Sequence, residues 1–142
     1  MSDGRFLARS DQAVIGAVLT GLRADANLQA ALGDPVRLYD GETDVPIYPY
    51  AVLERHESSA ADTVTKRGLE HSLHFAAYVR HGGVEATKAL LGVFRGAVEA
   101  LMLDLPGQQI VFVLPTYCDV LRTKSPLVSR GLLRVRLYTE EV

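Results

Sequence analysis

The sequence predicts an α+β fold: a two-layer sandwich with a mainly antiparallel four-stranded sheet and two helices packed on one of its faces. Three observations predict it. Apolar residues recur at helical spacing from Val14 to Leu22 and again from Leu90 to Leu101. They alternate with other residues at a period of two from Leu69 to Arg80 and from Leu132 to Glu141. The elements follow as helix, strand, strand, helix, strand, strand, an order that lets both apolar stripes cover one sheet face.

In "SDQAVIGAVLTGLRADANLQAALGDP", Val14, Ile15, Val18, Leu19 and Leu22 form the first stripe, with Ser10 or Asp11 as the expected N-cap. Gly16 and Gly21 each weaken this helix by ~1 kcal/mol relative to alanine, which points to close packing or to tolerance. A second short turn, Ala26 to Leu32, ends at Gly33, and Pro35 bars its continuation. "DPVRLYDGETDVPIYPY", with three prolines and one glycine, reads as an irregular crossing with one short strand at Val36–Tyr39. "YAVLERHE" is strand-like, and "SSAADTVTKRG", without periodicity, reads as a long exposed loop.

"LEHSLHFAAYVR" alternates cleanly. Leu69, Leu73, Phe75, Ala77 and Val79 share one face, and Ser72, His74, Ala76, Tyr78 and Arg80 the other. The parity bears on the three histidines of "EHSLHFAAYVRH". His71 and His74 point to opposite faces, and His71 and His81 lie about 33 Å apart along a strand, so neither pair holds one metal ion. His56 can pair across strands with His71 or His74, but two imidazoles without a carboxylate shell are weak ground for a metal. A structural or surface role is the reading for these histidines.

In "GGVEATKALLGVFRGAVEALMLDLPG", Leu90, Val93, Phe94, Ala97, Val98 and Leu101 form the second helical stripe, with Glu85, Lys88, Arg95 and Glu99 set away from it. Gly82 and Gly83 make the turn into the helix, and Pro106-Gly107 ends the segment. "QQIVFVLPTYCDVLR" is a strand interrupted at Pro115, which implies an edge or a bulge there. After the loop "TKSPLVSRG", Leu133, Val135 and Leu137 face one way and Arg134, Arg136 and Tyr138 the other.

The 142 residues suit one domain, 1–142, that needs no disulfide or metal to fold. A net charge of −2 gives no global sign of a nucleic-acid or acidic-membrane binder. The single cysteine, Cys118, rules out an internal disulfide and reads as a half-buried filler. No apolar run approaches the ~18 residues of a membrane span. "MSDGRFLARSDQ" has no apolar signal core, so a cytoplasmic origin is expected.

Catalytic motifs are absent. Neither a P-loop nor G-x-G-x-x-G occurs, and no Gly-x-Ser-x-Gly elbow or His-Glu-x-x-His is found. "DGETD", 40–44, lacks the ligand pattern of a calcium loop and reads as an acidic turn. No catalytic, metal or cofactor-binding residue is assigned. Arg122, Lys124, Arg130, Arg134 and Arg136 make the last quarter basic, which fits a solvated sheet face better than a nucleic-acid surface, since no stacking aromatics accompany them. Tyr78, Tyr138, His74, Arg134 and Arg136 would share the outer sheet face, and tyrosine and arginine there suit a protein interface.

The ordered series "LRADANLQAALGDPVRLYD", "VPIYPYAVLE", "TKRGLEHSLHFAAYVRHGGVEATKALLGVFRGAVEAL" and "GLLRVRLYTEE" resembles the tail-completion, or tail-terminator, proteins of long-tailed phages and of related particles such as gene transfer agents. It spans about Val14 to Glu141; Gly68-Leu69-Glu70-His71 before a strand and Gly82-Gly83 before a helix are its most specific parts. The resemblance implies a structural virion protein, not an enzyme, located in the tail of a phage or phage-like particle and assembled in the bacterial cytoplasm. It implies a homo-oligomeric ring, of six subunits, that caps the head-proximal end of the tail tube, stops its polymerisation and presents the head-joining surface. The implied partners are the tail tube protein, a head-completion or stopper protein, and DNA that passes through the lumen without sequence-specific binding; no cofactor and no membrane are implied. By this analogy the loop Glu57–Gly68, through Thr63, Thr65, Lys66 and Arg67, reaches a neighbouring subunit or the tube, and Tyr78, Arg134, Arg136 and Tyr138 complete the interface set. Two other classes compete: a small enzyme using Cys118 or His74 with a carboxylate from another strand, and a nucleic-acid-binding module using the C-terminal arginines.

Overall fold

A computed structural model describes residues 4–41 and 43–142, with side chains from Ser10 onward. Part of the N-terminal stretch and Glu42 of the acidic turn lie outside the described residues. The elements run α1 (Gly4–Arg23), α2 (Ala26–Leu32), β1 (Leu38–Tyr39), β2 (Tyr50–Ala60), β3 (Gly68–Arg80), α3 (Gly83–Glu99), β4 (Gln108–Arg122) and β5 (Val128–Glu141). The five strands lie in the order β1-β2-β3-β5-β4. All neighbours are antiparallel except β1 and β2. The class is therefore α+β as expected, with a mixed five-stranded sheet and three helices in place of four strands and two helices.

Each departure has a local cause. Within α1, the expected caps Ser10 and Asp11 lie inside the helix, because no Gly or Pro interrupts 5–12. The Ser10 hydroxyl is fully buried and donates to Gln108 Oε1 at 2.7 Å, so it is not free to cap. The short turn at Ala26–Leu32 is a helix in its own right, capped by Asp25, whose Oδ1 accepts from the Leu28 amide, and closed at Gly33 with φ +89°. The first strand shrinks to two residues, which pair in parallel with Ala51 and Val52. Arg23 holds it to α1 by donating twice to the Leu38 carbonyl. The loop expected at Glu57–Gly68 is shorter, since Glu57 to Ala60 pair with Ser72 to Leu69 and leave only 61–67 outside the ladder. α3 stops at Glu99, Leu101 still bonding to the Val98 carbonyl, and 102–105 returns as irregular chain.

The helices cover one sheet face. Val14, Val18 and Leu22 of α1, Leu28 and Leu32 of α2, and Leu90, Leu91, Phe94 and Val98 of α3 meet Leu73, Phe75, Leu133, Val135 and Leu137 of the sheet. Phe75 and Phe94 are in ring contact at 5.0 Å. α3 sits so close to β5 that a Cβ on Gly131 would lie 2.9 Å from Thr87 Cγ2 and 3.1 Å from Leu91 Cδ1. Of the two α1 glycines, Gly21 faces Leu101 and Gly16 faces open space, so close packing explains the first alone.

Candidate functional site: the uncovered sheet face and its open edge

The other face of the sheet carries no helix among the described residues, and its side chains fall into bands that the register fixes. On β4, Phe112, Leu114, Tyr117, Asp119 and Leu121 pair with Tyr138, Arg136, Arg134, Leu132 and Arg130 of β5. On β3, Glu70, Ser72, His74 and Tyr78 continue the same rows, followed on β2 by Glu54, Arg55 and Glu57. The face therefore grades from apolar at β4, through a row of arginines, to mixed acidic and polar at β2.

The arginine row is already engaged. Arg130 Nη2 donates to Glu54 Oε1 at 2.7 Å, and that carboxylate holds the guanidinium proton more firmly than usual. Arg136 pairs with Glu70 and lies 5.6 Å from the centre of the Phe112 ring. Arg134 lies 4.6 Å over Tyr117. Tyr138 stacks on Phe112 and donates to the Ala61 carbonyl, while Tyr78 stacks on Tyr50 and donates to Glu54. Burial pushes the Tyr78 and Tyr138 hydroxyls up, so both stay protonated donors. Tyr78, Arg134, Arg136 and Tyr138 thus form a surface whose side chains are already paired with one another or with their neighbours.

β4 is the open edge. Among the described residues, its fifteen pair as a strand with β5 alone, and two irregularities, at Ile110/Phe112 and Pro115/Tyr117, break its ladder. The edge and the bulge expected from Pro115 are both present. Val111, Leu114, Tyr117 and Leu121 are large and exposed along it. Sequence reasoning did not single these residues out; the signal was present in "IVFVLPTYCDVL", whose apolar residues occupy both parities, so that one set had to face away from the core.

At the end of the sheet where β4 begins and β5 ends, the β2–β3 turn presents Thr63, Val64, Thr65 and Lys66 to solvent. Thr63 organises it, its amide donating to the Lys66 carbonyl and its Oγ1 accepting from the Lys66 amide. Lys66 and Arg67 pair with Glu140 and Glu141 at 3.9 and 3.5 Å, which ties the turn to the end of β5. Val64 at its tip and Val45 and Ile47 in the 40–49 crossing are further exposed apolar groups.

A second cluster lies on the covered side. An irregularity between Leu53 and Arg55 inserts Glu54 as an extra residue and switches the parity of β2, so that His56 joins Ala51 and Leu53 on the helix face. His56 Nε2 lies 2.8 Å from His71 Nδ1, and Asp11 Oδ1 of α1 lies 3.8 Å from that same nitrogen. Burial, and then the neighbouring His56, push the fully buried His71 ring down to about 4, while burial also lowers His56.

Of the two residues of the enzymatic alternative, His74 does meet a carboxylate of another strand, Glu57 at 3.4 Å, on the open outer face, and Cys118 lies on the other side of the sheet. Cys118 pairs with Leu133 and packs toward the core, whereas His74 points to the outer face, where it meets Ser72 and Glu57. The sheet lies between the two side chains. Two surface grooves, lined by Asp40, Tyr50, Glu54 and Tyr78 and by Arg122, Lys124, Ser125 and Ser129, contain no histidine or cysteine. Among the described residues, no helix is long and apolar enough to cross a membrane.

No curated protein sequence matches the chain. In fold it is similar to a chain of the virion of a native gene transfer agent (GTA) particle, with a TM-score of 0.80 and 24% identity over 92% of this chain and 96% of that one. The family model "Tail completion protein gp17" matches residues 16–140, nearly the whole fold from the middle of α1 to the end of β5. The chain belongs to this tail completion family and is a non-enzymatic structural protein of the tail of a phage-like particle.

Proposed function

We propose that copies of this chain close into a ring of six at the head-proximal end of the tail tube, where the ring ends tube polymerisation and offers the surface to which the head joins. The observation that carries this reading is the uncovered β4 edge with its exposed Val111, Leu114, Tyr117 and Leu121. A long edge strand bearing apolar residues is an aggregation liability unless something covers it. In a ring each subunit presents two different surfaces, one to each neighbour, and the rotation between them closes the circle instead of propagating a filament. β4 supplies the first surface. The turn at 61–67, through Thr63, Thr65, Lys66 and Arg67, supplies the second or reaches the tube. β1, two residues long, offers too short an edge to receive β4 by strand addition alone. The partners are the tail tube protein on one side and a head-completion protein on the other, and DNA passes through the lumen without sequence-specific contact.

Electron microscopy of particles produced without this protein tests the reading. Tails of irregular length or without heads are expected; full yields of normal, head-joined tails would reject it.

A further inference from the structure

We propose that Asp11, His56 and His71 form a binding site for one transition-metal dication of the zinc type, which clamps α1 onto the β2–β3 hairpin. The three side chains come from three elements, and one ligand atom of each lies within 4.8 Å of the other two. His56 Nε2 and His71 Nδ1 are 2.8 Å apart and face one another, with Asp11 Oδ1 3.8 Å from the latter. Tetrahedral zinc with bonds of 2.0–2.1 Å sets its ligand atoms about 3.3 Å apart. The two nitrogens need to part by about half an ångström and the carboxylate oxygen to approach by a similar amount, which small side-chain rotations supply.

Three further features favour a metal over a plain imidazole pair. Asp11 Oδ1 is buried without a hydrogen-bond partner, a costly arrangement for a carboxylate oxygen unless a cation completes it. His71 Nε2 faces the Ser10 hydroxyl at 3.4 Å, and that hydroxyl donates to Gln108 Oε1. This second layer places the His71 proton on Nε2 and leaves Nδ1 as a lone pair aimed at the cluster, as the outer contacts of metal-bound histidines do. Burial disfavours the charged form of both rings, the form that does not coordinate.

Two imidazoles and one carboxylate select zinc, cobalt, nickel or copper over magnesium or calcium, which prefer oxygen ligands. A fourth position is open to water through the partly exposed sides of Asp11 and His56. The grooves lined by Asp40 and Tyr78, by Arg122 and Ser129, and by Glu57 and Arg136 do not include these residues, and the role proposed for the ion is that of a fastener. In the metal-free form, His56 Nε2 donates to His71 Nδ1. Binding moves that proton to His56 Nδ1 and frees Nε2 for the ion.

The test uses the full chain, stripped by a chelator and titrated with Co2+ and then Zn2+. The expected result is one equivalent of Co2+ with the visible absorption of a tetrahedral site, displaced by Zn2+, and a melting temperature that rises with excess metal. Asp11→Asn and His56→Gln, both at the partly exposed rim and so expected to fold, should each weaken binding by more than about 100-fold and abolish the shift. His74→Gln should change neither. A protein that takes up no stoichiometric metal would overturn the proposal, and so would folded Asp11→Asn and His56→Gln variants that bind as well as the parent; the cluster would then be a hydrogen-bonded histidine pair only.

Discussion

β3 and β4 have similar lengths and lie two places apart in one sheet, yet eight of the thirteen residues of β3 are buried and none of the fifteen of β4 is. Composition does not explain the contrast, because "QQIVFVLPTYCDVLR" is as apolar as "GLEHSLHFAAYVR". Position does. β3 has a strand on each side and helices above, so its inward residues are sealed. β4 has one neighbour; its inward residues Ile110, Val113, Cys118 and Val120 are only partly covered, and Phe112, Leu114, Tyr117 and Leu121 point outward. Apolar residues in β3 stabilise the fold, whereas those in β4 outside the core stripe are free to bind something else.

Substitutions in the two strands should therefore have opposite consequences. Phe75→Ala in β3 leaves a cavity against Phe94 and is expected to cost about 3–5 kcal/mol in denaturant unfolding. Its assembly defects, where they occur, should follow from unfolding.

Acid probes the helix-facing side of β2 and β3. Because His71 is held down to about 4 against an ordinary 6.5, the unfolded chain takes up a proton that the folded chain refuses. The stability tied to this is complete above pH 6.5 and is lost as pH falls from there to about 4, by as much as about 3 kcal/mol. Unfolding midpoints at pH 7 and pH 4.5 measure it. A His71→Asn variant should show a smaller fall between the two, and an unchanged fall would contradict the assignment.

Gly131→Val, where β5 meets α3, is expected to cost about 1–3 kcal/mol by overpacking against Thr87 and Leu91. Gly16→Ala, with open space around its Cβ, should stabilise α1 by up to ~1 kcal/mol, which thermal melts resolve. Smallest of all in stability is the β4 change Leu114→Asp/Leu121→Asp, expected within about 0.5 kcal/mol because both side chains are exposed.

What could be read from the residues follows the same division. Alternation exposed β3 and β5, whose core residues are every second one, and Pro115 disclosed both the edge and the break in β4. The seven residues of α2 were recognisable between Asp25 and Gly33. Parity failed where a bulge intervened. Counting from Ala51 and Leu53 places His56 on the outer face; the extra residue at Glu54 turns it inward beside His71. No local pattern could bring Asp11 to that pair, since the contact depends on where α1 docks. The end of β2 was mistaken for loop because "ESSA" has little strand propensity of its own and is held by its ladder with Leu69–Ser72. Of the expected interface residues, Tyr78, Arg134, Arg136 and Tyr138 do share one face, while Thr63, Thr65, Lys66 and Arg67 belong to the turn at the sheet end, which touches that face at Tyr138. The apolar strip on β4 was overlooked because exposure cannot be told from alternation when both parities are apolar.

The most direct test of β4 as an assembly surface is to image particles in which the Leu114→Asp/Leu121→Asp variant replaces the parent, with its melting temperature measured in parallel. Uncapped or headless tails from a protein that melts where the parent does are the expected result. Normal, head-joined tails from that variant would show that β4 is not the surface on which assembly depends.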